Sequence, residues 1–174
     1  MPQITKHTEM SIFLTAFTQA AIDVFSAFSK SRVTATGVRK IEQPLPSADI
    51  YGTMFLTGDT TGKIEVALYK KLARQVAANI GHCDPEQLND DEINDGVGEL
   101  VNQIAGNTRT KLWEQGYKTE ISPPKVTEHS NIAESDKKNN QSIYVIDFNC
   151  TCGFAALQIC LRLTNSKPVA TTQS

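Results

Sequence analysis

The sequence has no long apolar run, no strong net charge and no recognisable leader segment. No uninterrupted apolar stretch approaches the roughly 18 residues that a transmembrane helix needs. The opening residues, MPQITKHTEM, lack the charged and then apolar segments of a signal peptide. Lys and Arg total 17 against 19 Asp and Glu, and these charges are scattered, which is not typical of nucleic-acid binding. We therefore expect a soluble, cytoplasmic protein that acts neither in a membrane nor on nucleic acid.

The sequence also lacks the cysteine spacing of a metal site. Cys150 and Cys152 stand two residues apart, so on a β-strand both would point to the same face and act as small core residues. Structural zinc sites use pairs such as CxxC together with further Cys or His ligands. The other cysteines and the histidines are dispersed along the chain: Cys83, Cys160, His7, His82 and His129. The sequence therefore predicts core thiols and no metal bound to this chain.

Length and composition predict one folded domain. A chain of this size buries about 70% of the surface that its unfolded form exposes. The hydrophobic fraction of 40% suffices for a core, which excludes disorder of the whole chain. We expect a single domain over residues 1–165 and a disordered tail over residues 166–174.

Hydrophobic periodicity and turn residues predict an order of helices and strands. An amphipathic helix is predicted at 12–28, because one stripe carries Phe13, Phe17, Ala20, Ala21, Val24 and Phe28. Asn89, three residues before Glu92, forms a variant of the capping box that would begin a second long helix, ending near Gln115 and Gly116. Between the two long helices, the sequence predicts a strand at 32–41, a turn at Pro44 and Pro46, and a hairpin of 50–56 and 63–68 around GDTTG. A shorter helix is predicted at 70–80, ending at Gly81. After the second long helix, strands are predicted at 118–122, 142–150 and 154–163, with an exposed loop at 129–141. Two helices of similar apolar pattern, each followed by strands, indicate a diverged internal duplication.

The second long helix carries a polar triplet on one face. Asp95, Glu99 and Asn102, spaced D-x3-E-x2-N, fall within about 60° of one another around a helix. Gly106 lies on the same outward stripe, where a missing side chain would let another molecule approach closely, and Trp113 follows two turns later. The apolar residues centre on the opposite face, which must pack on a core: Ile93, Val97, Leu100, Val101 and Ile104. By spacing alone, such a triplet is more typical of an ordinary solvated helix face than of a binding site.

The surrounding sequence gives the triplet a context. The segments DDEINDGVGELVNQIAGN and KLWEQGYKTEISPPKV resemble the CheC/CheX/FliY family of chemotaxis phosphatases, and most of all its CheX branch. The signature of that family is Asp or Ser, then Glu, then Asn, then Pro, which match Asp95, Glu99, Asn102 and Pro124 here. The likeness spans about residues 8 to 164. It implies an α+β, CheC-like fold in which long amphipathic helices pack on a largely antiparallel sheet.

The resemblance also implies an activity and a partner. The implied substrate is the aspartyl phosphate of a CheY-type response-regulator receiver domain. Asn102 would orient the attacking water, Glu99 would pair with the receiver's lysine, and Asp95 and Gly106 would contact the receiver. Pro124 would shape the strand entry beneath the helix. The divalent metal, such as Mg²⁺, belongs to the receiver, so no cofactor is expected on this chain, and the CheX branch implies a homodimer.

Other interpretations stay open from the sequence. A non-catalytic receiver-binding module, or one resembling a flagellar-switch component, would also expose Glu99 and Asn102, although docking alone gives no reason for the carboxamide. A metal hydrolase could be imagined on a cluster of acids, yet these suit a helix N-terminus electrostatically: Asp84, Asp90, Asp91 and Glu92. The first helix offers Gln19, Asp23 and Ser26 without Glu-x2-Asn, so we expect one motif per chain.

Overall fold

Three helices and seven strands make up the part of the chain that the computed structural model describes. It describes the backbone of residues 6–41, 48–130, 142–150 and 153–163, and the side chains of 9–41, 48–130 and 143–149. The elements are α1 (Lys6–Ser29), β1 (Val33–Ile41), β2 (Ile50–Gly58), β3 (Thr60–Leu68), α2 (Lys70–Gly81), a 3₁₀ turn (Pro85–Gln87), α3 (Asp90–Glu114), β4 (Thr119–Ile121), β5 (Lys125–Thr127), β6 (Ser142–Cys150) and β7 (Gly153–Leu163).

The described strands form one antiparallel sheet in the order β1-β6-β7-β3-β2-β4, with β5 also paired to β2. This order has the symmetry that an internal duplication would leave. Each half is a helix followed by its strands, with first strands β1 and β4 at opposite edges and last strands β3 and β7 paired at the centre. The predicted α+β fold with a largely antiparallel sheet is confirmed.

All three helices contribute side chains to the same hydrophobic core. Alternate residues of the central strands face the helices, so Met54 and Leu56 of β2 and Ile64 and Val66 of β3 are buried. Helix α3 contacts both α1 and α2 and lies over β2, where Gly52 leaves room for Val97 and Val101. The orientation of α3 is therefore fixed by packing on three sides, which leaves one stripe of the helix facing outward.

Helix α1 is longer than predicted and belongs to this core. It begins at Lys6 rather than residue 12, and Phe13 and Phe17 are fully buried. The predicted stripe holds except at its end, where Phe25 is buried against Phe148 and Phe28 is only partly buried. The stretch Glu9–Ser29 is long and apolar enough to cross a membrane by length and composition, although the sequence has no uninterrupted apolar run of that length. Core helices share these properties, and the buried phenylalanines identify α1 as a core helix.

The predicted hairpin of β2 and β3 is confirmed, but its strands extend into the GDTTG segment that was predicted to be a loop. Pairing between β2 and β3 does stop at Leu56 and Gly62, yet both strands continue beyond that point with other partners, β2 with β4 and β3 with β7. Asp59 separates the two strands; its backbone N–H donates to the carbonyl oxygen of Lys118 at 2.9 Å, and its carboxylate accepts from the Lys118 N–H at 2.8 Å. The segment is therefore a junction between strands rather than a free loop.

The C-terminal ends of the three helices are predicted correctly to within a residue or two. Helix α2 includes Gly81, and the residue that leaves the helix is His82, with a left-handed φ of 52°. Helix α3 ends before Gly116, whose φ of 83° suits glycine. Several predictions lie outside the described residues: the turn at Pro44 and Pro46, most of the 129–141 loop, Cys152, the tail at 166–174 and the side chains of Cys150 and Cys160. Cys83 is exposed.

Close packing of α3 on α2 gives a first prediction, which concerns stability. A β-carbon at Gly96 would lie 2.6 Å from the Ala77 Cα and closer still to its Cβ. Because helix backbones cannot yield as side chains do, we expect Gly96→Ala to lower the free energy of unfolding by about 1–3 kcal/mol. Urea denaturation measures the change.

The matched control is Gly106→Ala on the same helix, where no atom lies within 4 Å of the added carbon. The free energy of unfolding of this variant should rise by up to about 1 kcal/mol. Equal effects at both positions would contradict the packing argument.

Candidate functional site

The N-terminus of α3 is fixed by the predicted capping box. The Glu92 N–H donates to Asn89 Oδ1 at 3.0 Å, and the Asn89 N–H donates to Glu92 Oε2 at 2.8 Å. These two bonds satisfy backbone donors that the first turn would otherwise leave open. Because the helix start is set, the rotational position of every later residue on α3 is set with it.

The acidic residues near this terminus have structural partners. Asp90 accepts from Lys70 Nζ at 2.8 Å, and this hydrogen bond and charge lower the pKa of the Asp90 carboxyl. Asp84 accepts from the Glu86 N–H at 3.0 Å, and Glu92 belongs to the capping box. Among the described residues, no group of three or more His, Cys, Asp or Glu is arranged to hold a metal ion. These contacts give Asp84, Asp90 and Glu92 structural roles.

Helix α3 presents the signature residues to solvent, as the sequence predicted. All five apolar residues of its opposite face are fully buried: Ile93, Val97, Leu100, Val101 and Ile104. Asp95 and Asn102 are exposed, and Glu99 is half-buried. The two faces follow from the helical period alone, since i, i+4 and i+7 lie together. The polar triplet therefore occupies the one stripe of α3 that the core leaves uncovered.

Of the two strands beside this stripe, the sequence predicted β4 and missed β5. The sequence indicated one strand at 118–122, whereas two short strands, β4 and β5, lie along the edge of β2. Between them Ser122 holds the edge, because the Phe55 N–H donates to Ser122 Oγ and the Ser122 N–H donates to the Phe55 carbonyl, both at 3.0 Å. Two prolines follow, which have no N–H to donate, and regular pairing resumes at Lys125. The proline pair thus hid β5 from the sequence prediction.

Gly98 faces this edge across a short gap. A β-carbon at Gly98 would lie 3.8 Å from Pro124 Cγ and 3.7 Å from Val126 Cγ2, which are ordinary van der Waals distances, so the space between α3 and the edge is about the size of one methyl group. Sequence reasoning singled out Gly106 and missed Gly98, which lines the site. The available signal was its position directly before Glu99, on the border between the buried and outward faces. Pro124 is therefore held against α3 on the side where the polar triplet lies.

The four signature residues line one surface groove. Its volume is about 450 Å³, and its walls are Asn94, Asp95, Gly98, Glu99, Asn102, Pro124 and Val126. Pro124 is distant in sequence from the triplet, so the fold itself brings them together. Gly106 does not line this groove. It lies one turn beyond Asn102, partly exposed, on the same side of the helix.

The groove's polar side chains differ in how they are held. Gln103 Nε2 donates to Glu99 Oε1 at 2.6 Å, which orients the carboxylate. By contrast, no described residue forms a side-chain hydrogen bond with Asn102 or Asp95, so the amide of Asn102 has both its donor and its acceptor available. Gln103 was missed by the sequence analysis, although its i+4 spacing from Glu99 is a signal for such a contact.

A family model described as "Chemotaxis phosphatase CheX" matches residues 50–149, which include the whole groove. The chain belongs to the CheX family. That match supports phosphatase activity in general terms, without assigning roles to residues. No curated protein is significantly similar to the chain.

Solved structures share the CheX-family fold. The Vibrio vulnificus chemotaxis protein CheX is 23% identical with a TM-score of 0.74, the match covering 86% of this chain and 99% of that one. CheX in the Borrelia burgdorferi CheX–CheY–BeF3–Mg²⁺ complex is 22% identical with a TM-score of 0.63, covering 86% and 97%. Thermotoga maritima FliY is 19% identical with a TM-score of 0.60, covering 94% and 93%. At these identities the comparison establishes a CheC-like fold.

The equivalent position on α1 has a different character in this CheX-family chain. The groove between α1 and the β1 edge is walled largely by apolar or hydroxyl side chains, including Met10, Leu14, Val38 and Tyr144. Gln19 donates to Asp23 Oδ1 at 2.8 Å, and Lys111 pairs with Asp23 Oδ2 at 3.4 Å. Gln19 and Asp23 of α1 are thus engaged with each other and, through Lys111, with α3. Only the second half of the pseudo-repeat carries the signature.

Proposed function

We propose that this protein hydrolyses the aspartyl phosphate of a CheY-type receiver domain, with Asn102 orienting the attacking water. The observation that carries the proposal is the groove in which Asp95, Glu99, Asn102 and Pro124 meet, with the Asn102 amide unengaged by any described side chain. The CheX family match supplies the reaction class. The B. burgdorferi complex contains CheX and CheY, which supports a receiver as the partner class.

The reaction asks for positioning more than for a strong base. In hydrolysis the water oxygen bonds to phosphorus as the bond from phosphorus to the aspartyl oxygen breaks, releasing inorganic phosphate and a free carboxylate. In a loose transition state nucleophilic attack is little advanced, so orientation of the water matters most. The carboxamide of Asn102 can accept a hydrogen bond from this water and donate one to a phosphoryl oxygen. No carboxylate of this chain has to remove the proton before attack.

Glu99 is assigned to recognition of the receiver. Its carboxylate would pair with the lysine beside the receiver's phosphorylation site, which fixes the two proteins in register. The hydrogen bond from Gln103 supports this role, because a carboxylate that is already oriented loses less conformational entropy on binding. Asp95, one turn earlier in the same groove, would make a second polar contact. Pro124 would keep the opposite wall of the groove in place.

The remaining assignments follow from the same proposal. The divalent cation, Mg²⁺ for instance, would be held by the receiver, and this chain would need no cofactor. We further propose that the protein is cytoplasmic, where receiver domains act, and that it forms a homodimer. Light scattering coupled to gel filtration tests the second point directly, since a single species at the monomer mass would contradict it.

Phosphate release tests the proposal directly. CheY-type receivers from the organism that encodes this chain would be phosphorylated with acetyl phosphate, freed of the donor and mixed with the protein. We expect faster phosphate release from at least one receiver at substoichiometric protein, which is the mark of turnover. Binding of a phosphorylated receiver without faster release would instead support the non-catalytic module.

Gly106 provides a test of the docking stripe. We expect Gly106→Gln to abolish receiver dephosphorylation, because its bulk would stand on the outward side of α3 where the receiver approaches. The melting temperature should change little, since nothing lies within 4 Å of an added β-carbon. Gly106→Ala is the control and should remain active. A Gly106→Gln protein with normal turnover would remove Gly106 from the docking surface.

A further inference from the structure

A second groove continues the signature groove along α3. It has a volume of about 450 Å³ and is lined by Arg109, Thr110, Trp113, Glu114, Thr119 and Glu120. Its walls are the C-terminal half of α3 and strand β4, just as the walls of the signature groove are the N-terminal half and the region of β5. Gly106 lies between the two grooves on the helix. We refer to the two grooves together as the trough, which has α3 on one side and the β4–β5 edge on the other.

Two residues at the far end of this trough have the character of binding anchors. Trp113 is 62% exposed, which leaves a large aromatic surface in water. Lys118 Nζ lies 5.7 Å from its ring centroid, so the indole is held by a cation without being covered. Arg109 forms no hydrogen bond or ion pair with any described side chain, although Glu114 and Glu120 line the same groove. Tryptophan and arginine are enriched among the residues that dominate binding energy at protein interfaces.

The angular positions of these residues match those of the signature. At about 100° per residue, Arg109 and Trp113 fall within about 40° of Asp95, the first signature residue. The stripe from Asp95 to Trp113 is about 27 Å long, close to the diameter of a small domain. A receiver domain seated with its phosphorylation site at Asn102 would therefore extend over the second groove if it lies along the helix.

The size of the signature groove also calls for further contact area. Specific, stable protein interfaces bury about 800 Å² on each partner, and weak, transient ones up to about 600 Å². Seven residues line the signature groove, one of them a glycine without a side chain. The second groove lies further along the same helix and the same sheet edge, and it offers the aromatic surface that the first groove lacks.

We propose that the second groove is a docking site for the same receiver domain, with Trp113 and Arg109 as its anchors. This inference rests on the proposed function for the identity of the partner. Trp113 would receive an apolar side chain of the receiver, and Arg109 an acidic one, about 10–17 Å along the helix from Asn102. Both are positioning residues: they hold the receiver in the orientation in which Asn102 reaches the phosphoryl group, and they take no part in the reaction.

The experiment uses the full-length protein and the receiver that it dephosphorylates best, or binds best if none is dephosphorylated. Trp113 is the one tryptophan of the chain, so fluorotryptophan incorporated into this protein alone gives a single fluorine NMR signal. Addition of the receiver carrying beryllofluoride and Mg²⁺ should shift that signal. Trp113→Ala should raise KM by about tenfold or more while kcat at saturating receiver stays unchanged. Trp113→Phe should recover part of the loss, and Arg109→Glu should raise KM further than Arg109→Ala.

The matched control is Phe55→Ala. Phe55 is another exposed aromatic with a lysine over its ring, Lys63 at 5.9 Å, on the face of the sheet opposite the helices. The KM of Phe55→Ala for the phosphorylated receiver should equal that of the wild type. The melting temperatures of Trp113→Ala and wild type should agree. If Trp113→Ala fails to fold, the KM values of Trp113→Phe and Arg109→Glu test the docking site instead.

The outcomes separate this inference from the proposed function. If the fluorine signal stays unmoved and Trp113→Ala keeps its KM, while turnover still depends on Asn102, then the phosphatase stands and the docking site is wrong. If the receiver shifts the signal but no phosphate is released, the docking site stands and the phosphatase is wrong. A receiver that never binds would overturn the inference. A Trp113→Ala protein with an altered oligomeric state would overturn it too, because a second copy would then be the occupant.

Discussion

Replacing Asn102 with alanine is expected to remove most of the catalysed dephosphorylation while leaving receiver binding nearly intact. The amide acts on water, and no described side chain depends on it for a hydrogen bond, so its loss should disturb neither the fold nor the docked complex. By analogy with removal of one oxyanion-hole donor, the barrier should rise by about 2.7–4 kcal/mol, which lowers kcat by about a hundred- to a thousandfold. Single-turnover phosphate release at saturating protein measures this directly.

The chain offers a matched control for this substitution. Asn107 is an exposed asparagine on the same helix and does not line the signature groove. Asn107→Ala removes the same amide with the same gain in helix propensity, and it should keep wild-type turnover. Near-normal turnover in Asn102→Ala would show that the water-orienting role is wrong. A loss shared by both variants would point to an effect on the helix rather than on the water.

The part of the site that lies on one helix was predictable from the sequence. Helical periodicity alone separates Asp95, Glu99 and Asn102 from the buried face of α3, and the capping box at Asn89 fixes where the helix begins. These are local effects, because each depends on residues within two turns of one another. For the same reason the ends of α2 and α3 were correct to within a residue or two.

The other wall of the site depends on pairing between distant segments, which no local pattern records. β5 is a strand because Lys125 pairs with Thr53 of β2, while the prolines before it look locally like the end of a strand. Pro124 reaches the polar triplet because the β4–β5 edge lies beside α3, where Pro124 and Val126 face Gly98. The GDTTG segment likewise looked like a loop, since its extension comes from pairing with β4 and β7. Pro124 entered the prediction through family resemblance, and the structure supplies the physical reason for its place.

The second large effect is expected at Glu99, and it should fall on binding rather than on chemistry. Truncating one partner of a desolvated interfacial ion pair costs about 2–5 kcal/mol, so Glu99→Ala should weaken the complex with the beryllofluoride-loaded receiver by about thirtyfold or more. Glu99→Gln keeps the shape and can keep the contact to Gln103, so it isolates the loss of charge. Glu86→Gln removes the same charge at an exposed position outside the groove and should bind as the wild type does.

Added salt should weaken the wild-type complex more than the Glu99→Gln complex, because screening acts on the charge pair that the variant has lost. Titration calorimetry at two salt concentrations provides the comparison, and equal salt sensitivity in the two proteins would rule out the pairing of Glu99 with a receiver lysine.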